Sequence, residues 1–180
     1  MSGHGHADHG SNKKIALLIA VLALFLAIAE TLAKSAQTEA LSSNVEASNL
    51  WAFFQAKTIR QTVVRTAGEA AQLAGNSEAG EKQLKTWSDT VARWESEPPT
   101  QEGRKELAAR AKKSEERRDL YMAKYHQYEI ASAAFQIGIV LASATVITGV
   151  ALLGVAGGLL GLLGLAFTAL GVWAPHAVHI

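Results

Sequence analysis

Apolar residues run without a break from Ile15 to Ala29. Extended to Ala33, the run is about 19 residues, or about 29 Å as a helix, which is enough to cross a bilayer core. A second apolar region runs from Ile130 to Trp173. As a single helix it would reach about 66 Å, about twice the core thickness, so it has to fold back. The glycine-rich stretch Gly154-Val155-Ala156-Gly157-Gly158 is the expected reversal. This predicts spans at 13–33, 130–153 and 157–174, with Pro175 closing the last helix and a short tail at 175–180. Tyr121, Tyr125 and Tyr128 precede the second span and Trp173 ends the third, as in an interfacial aromatic belt.

Between the apolar regions lies a polar segment, 34–129, rich in Ala, Gln, Glu, Lys, Arg and Leu. These residues favour helix, and no stretch alternates with a period of two. Breakers at Gly75-Asn76-Ser77 with Gly80, and at Glu97-Pro98-Pro99-Thr100 with Gly103, divide it into helices at about 34–74, 81–96 and 101–129. The first continues the first span and the last runs into the second. Leu107, Ala111, Ser114, Arg118, Tyr121, Tyr125 and Tyr128 are spaced by fours and threes, the pattern of a coiled coil or helical hairpin. Trp51, Phe53 and Phe54 are expected in a core or an interface, and Ile59, Val63, Ala67 and Ala71 are expected to continue that packed stripe. The predicted fold is all-α: three transmembrane helices with an extramembrane helical stalk held to the bilayer at both ends.

The spans also carry small residues at three- and four-residue steps. These are Ala16, Ala20, Ala23 and Ala27 in the first, then Ala134, Gly138, Ala142, Thr145 and Gly149 in the second. The third has Gly157, Gly161, Gly164, Thr168 and Gly171. Lipid gives apolar helices no reason to associate, whereas small-residue seams let backbones approach closely. Glu30 continues the first seam, and Lys34, one turn on, is its expected ion-pair partner.

Charge sharpens the membrane reading. Of the 33 charged residues, 29 lie between Lys34 and Glu129, and none follows Glu129. A third of the chain without a charge is not the composition of a soluble domain. A net charge of +1 argues against nucleic acid, which calls for a basic face. The absence of cysteine removes disulfides, thiolate metal sites and cysteine nucleophiles. Lys13-Lys14, the apolar run to Leu26 and Ala27-Ile28-Ala29 also fit a cleavable secretory signal. Helix-forming sequence that continues through Ala36 favours a retained span.

The segment Asn49-Leu50-Trp51-Ala52-Phe53-Phe54-Gln55-Ala56-Lys57, within 35–62 and after an N-terminal span, resembles the bacterial membrane proteins grouped as domain of unknown function 4337. The likeness extends over the His-containing tail, the charged helix with Tyr121 and Tyr125, and the two-span end. It implies a bacterial integral membrane protein and brings no activity, cofactor or catalytic residue.

Candidate chemistry is sparse. His4, His6 and His9 lie in residues 1–12, a Gly- and Ser-rich segment expected to be disordered; they are the metal candidates, without a fixed geometry. His126 with Glu129, and His176 with His179, lack a full ligand set. There is no Gly-x-Ser-x-Gly elbow and no phosphate loop after a strand, so no catalytic or cofactor-binding residue is expected. The leading expectation is a non-catalytic, homo-oligomeric scaffold or accessory subunit in the bacterial inner membrane, alone or within a larger membrane complex. A pore using Ser143, Thr145 and Thr148 is the alternative, and a metal-responsive protein a further one. Lys13-Lys14 lean towards a cytoplasmic N-terminus with the polar domain outside.

Overall fold

The computed structural model describes residues 6–75 and 77–177, with side chains from Lys13 onward. Four helices account for it: α1 (His6–Leu73), α2 (Glu78–Glu95), α3 (Arg104–Thr148) and α4 (Ala151–Trp173), and no strand occurs among the described residues. Three of these, α1, α3 and α4, are long and apolar enough to cross a membrane.

The helix limits follow from local chemistry. Between Lys13 and Ala67 there is neither Gly nor Pro, so nothing interrupts α1 until Gly75, whose φ of +90° ends it. At its other end α1 begins at His6, inside the segment expected to be a tail. Adding residues to an existing helix is cheap once the nucleus is formed. Ser77 caps α2 by accepting the Gly80 N–H at 3.2 Å, and Glu78 and Glu81 sit favourably in its first turn. Pro98 and Pro99 keep α2 and α3 apart.

The chain divides into two compact units: residues 1–40 with 119–180, and residues 41–118. In the first unit α1 packs on α3 and α4. Leu22, Ala29, Ala131 and Phe135 form one core cluster, with Phe25 stacked on Phe135 at 6.1 Å between ring centres. Ala33, Ala36 and Tyr128 form a second cluster, flanked by Tyr121 and Tyr125.

The reversal between α3 and α4 falls at Gly149-Val150, not at Gly154–Gly158. Gly149 takes φ +70°, and Gly154, Gly157 and Gly158 all lie inside α4. Those glycines serve packing instead. A Cβ on Gly157 would stand 2.7 Å from the Gly138 carbonyl oxygen, and one on Gly164 2.8 Å from the Phe135 ring. Missing side chains at Gly161 and Gly171 likewise make room for Leu22 and for the Tyr128 ring. Helices that lack a hydrophobic drive gain dispersion from this close approach.

Ala134, Gly138, Ala142 and Thr145 are accordingly buried, as are Gly157, Gly161, Gly164 and Gly171, with Thr168 half-buried. Gly149 is exposed at the turn. The first seam is different: Ala16, Ala20, Ala23 and Ala27 are all exposed. The face of α1 turned inward carries the bulkier Leu22, which fills the space left at Gly138 and Gly161, and Phe25, which stacks on Phe135. The expected Glu30–Lys34 pair is not among the ion pairs of the described residues. Glu30 accepts instead from Gln136 Nε2 of α3 at 3.3 Å.

In the second unit, Leu50, Leu107 and Ala111 form the core, with Trp51 and Phe54 packed against it. Ile59 and Val63 do not continue this stripe; they are 65% and 61% exposed. Ile59 is five residues past Phe54, which turns it about 140° around the helix. The inward positions after Leu50 and Phe54 are Lys57 and Gln61, both buried, and then Val64 and Gly68.

Candidate functional site

Among the described residues, most of the side-chain polar bonds between elements of the second unit gather where α1 passes the end of α2 and the start of α3. The spacing that buries Ser43, Ala47, Leu50 and Phe54 on α1 carries Lys57 and Gln61 into the same seam. The end of α2 brings Glu95 opposite them, the α2–α3 loop Ser96 and Glu97, and the first turn of α3 Arg104 and Glu106.

Arg104 is the hub. Its Nη1 donates to Gln61 Oε1 at 2.6 Å and to Glu95 Oε2 at 2.8 Å. Its guanidinium carbon lies 4.9 Å from the centre of the Phe54 ring, a stacking cation–π arrangement. Gln61 Nε2 in turn donates to the Val91 carbonyl and to Glu95 Oε2, each at 3.2 Å. One Gln side chain thus ties α1 to both α2 and α3. Beside it, Lys57 Nζ lies 3.9 Å from Glu97 Oε2 and 5.3 Å from the Phe53 ring centre. Phe54 meets Trp51 edge-on at 5.4 Å, and Trp51 Nε1 donates to Glu115 Oε1 at 2.9 Å.

Glu106 closes the loop. It accepts from Ser96 Oγ at 2.7 Å and from the Glu97 N–H at 3.1 Å. The Ser96 hydroxyl, and after it the Glu97 backbone donor, hold its carboxyl below the ordinary value. This close turn depends on Gly103, because a Cβ there would collide with Glu106 Oε2, the Glu97 nitrogen and Ser96 Cα.

The bonding is incomplete, because Arg104 Nε is buried without a partner, and Glu95 stays 39% exposed, so the ion pairs by themselves are weak evidence of stability. Of the aromatic candidates, Trp51 and Phe54 are half-buried and Phe53 is 37% exposed under Lys57. The sequence reading passed over Lys57, Gln61, Glu95 and Arg104. The signal for the first two was present: they fall on the same three- and four-residue steps as Leu50 and Phe54.

Elsewhere, His126 Nδ1 lies 3.9 Å from Glu129 Oε2, and Glu129 Oε1 accepts from the Tyr125 hydroxyl at 2.7 Å. No group of three or more His, Asp or Glu arranged to hold a metal ion occurs among the described residues. His4 and His179 lie outside the described residues, as do the side chains of His6 and His9.

An all-helical chain, with three helices of membrane-spanning length and a polar three-helix junction, defines the class. A family model described as Domain of unknown function (DUF4337) matches residues 11–174, and the chain belongs to that family. Comparison with curated proteins gave no match, and neither did comparison with solved structures.

Proposed function

We propose that this chain is a non-catalytic, homo-oligomeric membrane scaffold or accessory subunit. In this reading the apolar parts of α1, α3 and α4 cross the bacterial inner membrane, and residues 41–118 form an extramembrane helical stalk of the coiled-coil type. The N-terminus is cytoplasmic.

The observation that carries the reading is an uncovered face of α1 in the second unit. Leu41, Val45, Ser48, Ala52, Gln55, Ile59 and Val63 follow three- and four-residue steps, carry no charge and are exposed. Leu41, Val45, Ile59 and Val63 are each about 60% exposed, at 61%, 58%, 65% and 61%. Large apolar side chains in such a row on a charged domain mark an interface. A second α1, carrying the same row at the same spacing, fits it. Ala16, Ala20, Ala23 and Ala27 offer a comparable uncovered seam in the first unit, of the kind used between membrane helices. The pore alternative has less support, because Thr145 and the glycines that would line a path pack on one another within the chain.

The cysteine-free sequence makes the test clean. Val45→Cys is expected to give a disulfide-linked dimer in membranes under mild oxidation, and Glu46→Cys, about 100° away on the helix, much less. Light scattering in mild detergent is expected to give a multiple of 19.1 kDa that falls in the double variant Val45→Asp, Ile59→Asp. A single-chain mass together with equal cross-linking at both positions overturns the reading. Purified protein is expected to be silent in planar bilayers.

A further inference from the structure

The first unit contains a cavity of about 610 Å³ where the start of the apolar run of α1 meets the α3–α4 turn. Lys14, Ile15 and Leu18 of α1 line it, opposite Thr145 and Thr148 of α3 and Val155 of α4. Its volume is in the range of small-molecule sites. Lys14 is the only charged residue in the lining and makes no ion pair among the described residues. No Asp or Glu lies between Ile15 and Ala29, or anywhere after Glu129. The two hydroxyls spend their protons on their own helix. Thr145 donates to the Leu141 carbonyl at 3.0 Å and Thr148 to that of Ala144 at 2.8 Å. The other lining side chains are apolar, with backbone groups of the turn exposed between them, and Ile147 and Leu152 at the turn are 86% and 74% exposed.

We infer that this cavity is a binding site for an anionic glycerophospholipid. The inference rests on the membrane reading above, which puts Lys14 and the turn at the same headgroup level. A cation with no ion-pair partner among the described residues, beside Ile, Leu and Val side chains, fits a molecule with an anionic head and an apolar body. The lipid phosphate takes Lys14 as its charge-assisted partner, and the glycerol and upper acyl segments lie along Ile15, Leu18 and Val155. A soluble phosphate satisfies only the first of these contacts, and a zwitterionic lipid brings its own cation to the phosphate.

The test is native mass spectrometry and thermal unfolding of the detergent-purified full chain, titrated with phosphatidylglycerol, phosphatidylcholine or sn-glycerol 1-phosphate. Phosphatidylglycerol is expected to be retained and to raise the melting temperature, and the other two are not. Lys14→Gln is expected to weaken retention about tenfold, equivalent to about 1.4 kcal/mol. Lys13→Gln, which keeps the lining intact, is expected to leave it unchanged. Val155→Trp fills the space while keeping the charge, and retention is expected to be lost. Equal losses in Lys13→Gln and Lys14→Gln, retention unaffected by Val155→Trp, or equal retention of phosphatidylcholine overturns the inference. Release of the protein from membranes by alkaline carbonate would instead count against the membrane reading itself, and that assay is run separately.

Discussion

Gly138 and Gly157 bring two helices of the first unit into backbone contact: a Cβ on Gly138 would sit 3.0 Å from the Gly157 carbonyl oxygen, and one on Gly157 2.7 Å from that of Gly138. Neither contact involves a side chain that can swing aside. The pair therefore fixes how closely α3 and α4 approach, and the neighbouring fits of Leu22 over Gly161 and Phe135 over Gly164 depend on that distance.

A methyl group at Gly157 has to push the backbones apart. Gly157→Ala is expected to destabilise the first unit by about 1–3 kcal/mol, the usual cost of overpacking. Gly158→Ala, next in sequence, meets nothing within 4 Å and is expected to be neutral or slightly stabilising. Thermal unfolding of the two variants in the same detergent checks this. Equal melting temperatures would show that the close approach carries no energy.

The Arg104 junction makes a different prediction. Arg104→Ala leaves Gln61, which is buried, without its strongest donor, and leaves Glu95 without its cation. The cost of an orphaned buried group is about 1–3 kcal/mol. Glu95 is 39% exposed and water recovers part of the loss, so about 1–2 kcal/mol is expected. For a chain of this size that lowers the melting temperature by about 3–6 °C. Arg104→Lys keeps the charge but loses the guanidinium over the Phe54 ring, and is expected to fall between wild type and Arg104→Ala.

How far the sequence reveals this architecture depends on which property each part uses. The three long apolar helices are legible because a charge-free stretch needs no register to be recognised. The register of α1 is not. Its inward face carries Lys57 and Gln61, which read as surface residues, while its outward face carries Ile59 and Val63, which read as core. Both rows keep the same three- and four-residue spacing, so only the partners Arg104, Glu95 and Glu97 decide between them. The turn is hidden for a related reason. Glycine serves both reversal and close packing, and the dense cluster from Gly154 to Gly158 is used for packing, while one Gly149 makes the reversal.

Acid is expected to loosen the α2–α3 turn through Glu106. Its bonds from Ser96 and from the Glu97 N–H favour the ionised form, so its folded pKa is below the ordinary 4.5. A carboxyl lowered on folding contributes stability that is fully present above the unfolded pKa and is lost as pH falls through the folded one. Wild type is therefore expected to unfold at a higher temperature than Glu106→Gln at neutral pH. The difference should shrink below about pH 4.5 and vanish at lower pH. A difference constant from neutral to strongly acid pH would mean that the carboxyl's charge takes no part in holding the turn.

The position of the reversal can be read from the cost of a single methyl group. Gly149 takes φ +70° with nothing within 4 Å of where a Cβ would stand, so substitution there meets a purely conformational penalty. For an L-residue in that region the cost is about 1–2 kcal/mol, and Asn tolerates the conformation better than Ala. Gly149→Ala is expected to lower the melting temperature and Gly149→Asn to lower it less, although Asn is the larger side chain. A packing position gives the reverse order, because there the cost grows with volume. If Asn proved worse than Ala at 149, the turn would have to lie elsewhere, and the glycine cluster beginning at Gly154 would be the next candidate.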